Sequence, residues 1–521
     1  MAIDSRYVVI SADGHAGADL RGYRPFLEQS LHDEFDRWVD AYVNPFGDLE
    51  RPDANRNWDS AVRNRALEAD GVAAEVVYPN TVPPFFSRGG LTALVPSREE
   101  YSLRLAGLRA HNRWLAEWCA ELPGRRAGIG QILLNEVDDA VRDIEWIADN
   151  GLTGGVLLPG LPPGSGIDPL HSPRYEPVWR ACEEQGVVLN VHGGSGSPDQ
   201  GAFAASLALF VLEASFYAHR PLWTLVMSGV FDRYPRLRLV FAEAGSSWLP
   251  NSLVAMDTIQ AKQDTGNIGV MRILEPFRLQ KKPSEYWRSN CWMGASFMTR
   301  ADAETRADIG VDRIMWGSDF PHDEGTYPHT RESLAHTFVG IDPTEVARMI
   351  GENAAHVYGF DIKGRGDILF VGALMQVLGS FFWGPSDRLF GSYKKPALVG
   401  TVLCLISLLL LAALGPLSVP LLVAAFVLLG FSTGMLSVVL AHGRALAAPH
   451  LLGRTITLLN MGAMAGSFLV QFISGTIINL FPAEGSAYPL DAYRLVFALQ
   501  ALVVLTGLVF YFSSHEKHLG R

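Results

Sequence analysis

The sequence predicts two fold classes in one chain: an α/β domain built as a (β/α)8 TIM barrel, followed by an all-α transmembrane segment. Short apolar runs alternate with helical patterns as far as Ser318, the character of the chain changes near Gly364, and from Ile368 to Phe512 apolar stretches follow one another. A chain of 521 residues exceeds the ~250–300 residues that one hydrophobic core serves, so two domains are expected, at 1–362 and 365–521. The mean hydropathy of +0.14 averages a charged front against an apolar tail.

Eight runs read as strands: Tyr7–Ala12, Ala73–Pro79, Ala127–Leu134, Gly154–Pro159, Val187–Val191, Leu237–Ala242, Ser289–Met293 and Arg313–Gly317. Continuous β-branched runs mark strands buried on both faces, as in a parallel sheet, and eight strand-then-helix units point to a closed barrel. Among the helices, Arg109–Leu122 carries Leu115, Trp118 and Cys119 on one face. Val137–Asn150 alternates apolar and acidic residues before Gly151 supplies a stop, and Pro343–Tyr358 closes the barrel. Two departures are an insertion from Gly22 to Arg56 and a long helical stretch from Phe203 to Tyr234.

A net charge of −11 without a basic block argues against nucleic acid as a partner. The four cysteines, Cys119, Cys182, Cys291 and Cys404, show no CxxC spacing, so neither a zinc ribbon nor a disulfide framework is indicated. The N-terminus passes into a strand-like run without the regions of a signal peptide, which places the expected barrel in the cytoplasm.

The strand ends carry the chemistry. The first runs into Asp13-Gly14-His15, the fifth into His192, the sixth into Glu243 and the eighth into Asp319 and His322; in a barrel these ends converge on one mouth. Asp13 and His15, two residues apart, share a face of an extended strand, and His192 and Asp319 close the set from across the barrel. Two imidazoles and two carboxylates suit one divalent ion, Zn2+ or alternatively Mn2+, with a position left for water or substrate. Glu243 reads as a general acid or base, or else as a residue that orients a ligand. His322 and His329 lie in the loop beyond Asp319, where an imidazole binds a substrate carboxylate or shuttles a proton. A surface or capping role is the alternative for His329. Asn80 ends the second strand and is a candidate for substrate binding.

Ile10-Ser-Ala-Asp-Gly-His, Glu75-Val-Val-Tyr-Pro-Asn-Thr-Val-Pro-Pro, Pro123-Gly-Arg-Arg, Ser228-Gly-Val-Phe-Asp-Arg-Tyr-Pro and Asp312-Arg-Ile-Met-Trp-Gly-Ser-Asp-Phe-Pro-His resemble the amidohydrolase-related family, in particular its branch of aminocarboxymuconate-semialdehyde and γ-resorcylate decarboxylases. The resemblance covers about residues 5–361. It implies a metal-dependent barrel with Asp13, His15, His192 and Asp319 as ligands, and a lyase that decarboxylates a small aromatic or unsaturated carboxylic acid. A hydrolase using the same site is the alternative. Where many members carry HxH on strand one this chain has Asp13 and His15, and Glu243 stands where strand six often supplies a His, so the family's proton donor does not carry over directly.

The tail parses as helices at about 367–383, 396–414, 417–441, 454–480 and 491–512. Gly384-Pro-Ser-Asp-Arg-Leu-Phe-Gly-Ser-Tyr-Lys-Lys resembles the cytoplasmic loop motif of the major facilitator superfamily. That superfamily needs two six-helix halves, and about five helices are in view here. Asp491 and Glu484 fall in the loop before the last helix, so no membrane-embedded acid is visible. A transporter fragment or membrane-anchored remnant, fused to the barrel, is therefore expected rather than a working transporter. The expected partners are a small carboxylic acid and the lipid bilayer; a homo-oligomer is compatible with the sequence.

Overall fold

Eight parallel strands, each paired with its neighbours in sequence, wrap the first unit in the order β1 to β8. They are β1 (Ile10–Ala16), β2 (Ala74–Pro79), β3 (Arg126–Gln131), β4 (Gly155–Leu157), β5 (Leu189–His192), β6 (Leu239–Ala242), β7 (Cys291–Ser296) and β8 (Ile314–Gly317). This is a computed structural model, which describes all residues but 1–6, 45–46, 88–91, 163, 274–277, 363, 414–418, 479, 482–488 and 516–521; Glu484 thus lies outside the described residues. Contacts divide the chain into Met1–Asp361 and Ile362–Arg521.

Every residue of all eight strands is buried, because one face fills the barrel and the other lies under helices. Between β8 and β1 the wall is joined by a parallel bridge between Gly14 and Phe320, with Asp319 N–H donating to Asp13 O at 2.9 Å and His15 N–H to Phe320 O at 2.7 Å. Gly317 is required there, since a Cβ on it would stand 2.6 Å from the Cβ of Asp13. Beneath this seam Arg63 lies fully buried, its guanidinium forked onto Glu75 and its Nη1 donating to His15 O.

Three expectations shift. β1 ends at Ala16, beyond the expected Ala12, because a register irregularity between Ser11 and Gly14 lets pairing with β2 resume as far as Ala16 against Pro79. β7 begins at Cys291 rather than Ser289, since the helix Pro283–Asn290 claims the two preceding residues. The stretch from Phe203 to Tyr234 is three helices, Ser206–Ala218, Arg220–Met227 and Val230–Arg233. Pro221 near the start of the second, and Gly229 at φ 70° before the third, break the run.

Among the described residues of the second unit, four helices are long and apolar enough to cross a membrane: Lys394–Ala413, Leu421–Leu446, Leu452–Ile478 and Leu490–Phe512. The preceding helix, Gly364–Trp383, carries a shorter apolar run over Val371–Trp383. It packs on the Leu421–Leu446 segment through glycines, where a Cβ on Gly379 would lie 2.3 Å from Phe431 O and one on Gly430 2.2 Å from Gly372 O. Backbones this close are how helices gain contact in lipid, where no hydrophobic force draws them together.

Candidate metal centre

At the C-terminal ends of β1, β5 and β8, Asp13, His15, His192 and Asp319 converge, all but fully buried. His15 Nε2 lies 3.4 Å from Asp13 Oδ1 and 3.1 Å from Asp319 Oδ1, and His192 Nε2 lies 3.5 Å from Asp13 Oδ1. Bonds of about 2.1 Å to one ion would set donor–donor edges of roughly 3.0–3.4 Å, so the spacing fits. Asp13 Oδ1, His15 Nε2, His192 Nε2 and Asp319 Oδ2 are buried without a hydrogen-bond partner. Orphaned polar atoms cost about 1–3 kcal/mol each when nothing satisfies them, and Asp13, His15 and His192 each offer a donor atom that can reach a common ion. The donor set therefore fits one divalent cation.

The electrostatics agree. Burial works to raise the Asp13 pKa, but the charges of His192 and His15 outweigh it and hold the carboxyl well below the usual carboxylate range. Burial works to lower His15 and His192, and the carboxylates outweigh that, chiefly Asp13 for both, so that both imidazoles are raised. Asp319 is lowered against its burial by the neighbouring imidazoles of His15 and His322. A field that pulls protons onto two buried imidazoles is one that attracts a cation.

Glu243 behaves differently. Burial raises its pKa, opposed by His192, with Asp319 and Asp13 adding to the rise. Its Oε2 stands 3.3 Å from His192 Nδ1. Glu243 (φ 49°), Phe297 (φ 37°) and Asp319 (φ 59°) all hold left-handed backbone, an arrangement that costs of order 1–3 kcal/mol each and gathers at functional sites.

His322 accompanies the set, with Nδ1 2.9 Å from Asp319 Oδ1 and Nε2 3.1 Å from Asn80 Oδ1. Asn80 Nδ2 donates to Asn57 Oδ1 at 2.6 Å, and Asn57 Nδ2 to Ala54 O at 3.0 Å. That relay orients both amides and leaves Asn80 Oδ1 as an acceptor, so His322 carries a proton on Nε2. Above the set opens a cleft of about 690 Å3 lined by His192, Glu243, His322, Asn80, Phe297 and, from the helix Ser206–Ala218, Phe210. Arg51, the one Arg or Lys among the described lining residues, pairs with Asp323 at 2.7 Å.

His329 stands apart. It is exposed, precedes the helix Thr330–Thr337 without a side-chain cap bond, bonds Glu332 at 3.0 Å and does not line the cleft, so the structure does not bring it to the other candidates and places it at the surface. Sequence reasoning missed Phe210, Phe297, Arg51 and Ser296. Only the last sits on a strand end, three residues beyond the Met293 at which that strand was expected to stop.

The family model described as Amidohydrolase matches residues 40–360. The chain belongs to the amidohydrolase family. A Major Facilitator Superfamily model matches residues 348–521. Over 225 residues this amidohydrolase is 25% identical to γ-resorcylate decarboxylase of Rhizobium sp. (strain MTP-10005), a match covering 41% of this chain and 65% of that protein, so it spans just under two thirds of that relative's length. Over 311 residues it is 24% identical to 2-amino-3-carboxymuconate-6-semialdehyde decarboxylase of Dictyostelium discoideum, covering 58% of this chain and 77% of the other. Among solved structures, an amidohydrolase from Mycobacterium avium subsp. paratuberculosis shares its fold at a TM-score of 0.52 and 20% identity, covering 68% of this chain and all of the other (100%). The 5-carboxyvanillate decarboxylase of Novosphingobium aromaticivorans, solved with manganese and 4-hydroxy-3-methoxy-5-nitrobenzoic acid, does so at a TM-score of 0.50 and 18% identity, covering 68% and 97%.

Proposed function

We propose that the barrel is a metal-dependent decarboxylase of a small aromatic or unsaturated carboxylic acid. The observation that carries this is one cleft in which a buried four-donor set adjoins an acid, Glu243, with a raised pKa while the carboxyls of Asp13 and Asp319 are lowered. The decarboxylase relatives add support.

Asp13, His15, His192 and Asp319 would hold the ion, Zn2+ or Mn2+; both suit two imidazoles and two carboxylates, and manganese is the ion of the Novosphingobium enzyme. Bound there, it supplies a Lewis acid that anchors the substrate carboxylate or a neighbouring hydroxyl. Glu243 in its protonated form gives a proton to the carbon that loses carbon dioxide: the carbon–carbon bonding pair becomes the new C–H bond, and solvent reprotonates the carboxylate. Phe210 and Phe297 offer apolar surface to a planar substrate, while His322 presents a fixed Nε2–H on Asn80 beside it. The apolar helices attach this activity to a bilayer. Basic residues at Arg388–Lys395 and Arg444–Arg454 support a cytoplasmic barrel.

The test is a panel of hydroxylated aromatic and unsaturated acids with metal analysis of the purified chain. Carbon dioxide release without oxygen-18 uptake is expected; oxygen-18 uptake would assign a hydrolase. Asp319→Asn and His192→Ala should each strip the ion, and retention of it by both sinks the ligand set. Glu243→Gln should keep the ion while turnover falls by ~10²–10⁴, and unchanged turnover removes Glu243 from the chemistry.

A further inference from the structure

We propose that Ser296 is a positioning residue that selects which oxygen of Asp13 faces the ion and ties that carboxylate to the backbone of Glu243. Ser296 ends β7, between the two, and is 8% exposed. Its hydroxyl bonds Asp13 Oδ2, and Glu243 N–H reaches the same Oγ at 3.2 Å. The polarity follows from the partners. An ionised carboxylate only accepts and a backbone N–H only donates, so the hydroxyl hydrogen points at Asp13 and its lone pair at Glu243.

Two consequences follow. With Oδ2 engaged, Asp13 Oδ1 is the oxygen left without a partner, and it is the one that lies 3.4 Å from His15 Nε2 and 3.5 Å from His192 Nε2. Free rotation of the carboxyl would exchange the two oxygens; the Ser296 bond stops it. Glu243 N–H also reaches Gly294 O at 3.2 Å, so two acceptors on β7 hold the left-handed residue (φ 49°) that carries the acid. One hydroxyl thus couples the ion's ligand to the proton donor, as outer partners of metal ligands do elsewhere.

The inference rests on the metal-centre reading, and its test reads affinity rather than activity. The full chain in detergent is stripped with chelator, and its Mn2+ affinity is measured by competition, with Asp13→Asn as reference. Ser296→Ala is expected to bind Mn2+ some 10–100-fold more weakly, with Ser296→Thr restoring most of the affinity and the metal-free Ala variant melting where the metal-free native chain melts. Native affinity in Ser296→Ala, equal weakening in Ala and Thr, or a lower metal-free melting point overturns the inference. If Asp13→Asn loses the ion while Ser296→Ala keeps it, this inference alone falls. If Asp13→Asn keeps it, the metal-centre reading falls as well.

Discussion

Replacing Arg63 with Met should unfold the barrel's seam before it touches the cleft. Arg63 and Glu75 are 0% and 2% exposed, and the guanidinium makes a two-pronged contact, Nε to Oε1 at 2.8 Å and Nη2 to Oε2 at 2.6 Å. Its Nη1 also donates to His15 O at 2.9 Å and Arg56 O at 3.0 Å. Met fills similar volume but leaves the Glu75 carboxylate buried and unpaired, a loss of about 3–5 kcal/mol. These two carbonyls, and Phe320 O at 3.4 Å from Nη2, lose a donor besides, each of order 1 kcal/mol at most. Set against a typical stability of about 5–15 kcal/mol, the variant should be destabilised by at least ~4 kcal/mol. The assay is urea unfolding of the detergent-solubilised chain, following barrel tryptophan fluorescence. Adding Glu75→Leu should recover most of the loss, because it removes the stranded charge. A single variant within 1 kcal/mol of the native protein, or a double variant weaker than the single one, would refute the reasoning.

Burial pushes the His111 imidazole down to about 4, against an unfolded value near 6.5. The folded value is the depressed one, so His111 contributes stability that is full above pH ~6.5 and lost as pH falls toward 4, about 3 kcal/mol in all. The stability of His111→Gln, compared with native across that window by denaturant titration, should fall less steeply, and parallel profiles would contradict the assignment. Truncation after Asp361 should leave a soluble barrel with one ion per chain and its activity; a folded, metal-loaded but inactive product would show that the tail contributes to the site. Gly430→Leu should lower the melting temperature of the helical unit in detergent, since its Cβ meets Gly372 O at 2.2 Å, and leave the metal content of the chain unchanged.

The four proposed ligands were legible because each stands at the end of an apolar run, and parallel strands in a barrel must bring those ends together. His192 and Asp319 needed nothing further. Asp13 and His15 were found even though β1 runs through them rather than stopping short, since period-two geometry puts both on one face wherever the strand ends. His329 misled because loop proximity in sequence says nothing of direction: the helix Thr330–Thr337 begins there and turns the ring toward Glu332. Ser296 was hidden by a boundary. A strand expected to stop at Met293 leaves the next three residues as loop, and only the observed β7 aims Ser296 at Asp13. The Arg51–Asp323 pair joins residues 272 apart, a separation at which no local pattern operates.

The cleft poses a charge problem that its own residues resolve. On the decarboxylase proposal, a substrate carboxylate would enter a cleft lined by Glu243, Asp323 and Glu324, with Asp13 and Asp319 buried beneath it, and five anions would repel a sixth. Asp323 is cancelled by Arg51, and Glu324, exposed at the rim, is screened by water. Asp13 and Asp319 form the low-pKa part of the donor set, so a divalent ion balances them. That leaves Glu243, whose raised pKa allows it to be neutral at the cost of holding a proton. The protonated Glu243 is the form in which an anion can bind beside it, and it is also the form that can protonate carbon. On that proposal, binding and chemistry would select one protonation state of one residue, and both would be lost together as pH rises through its raised pKa. Among the neutralising devices in the cleft, a Gln in its place reproduces the neutrality without the proton, which is why Glu243→Gln should preserve substrate binding while it removes turnover.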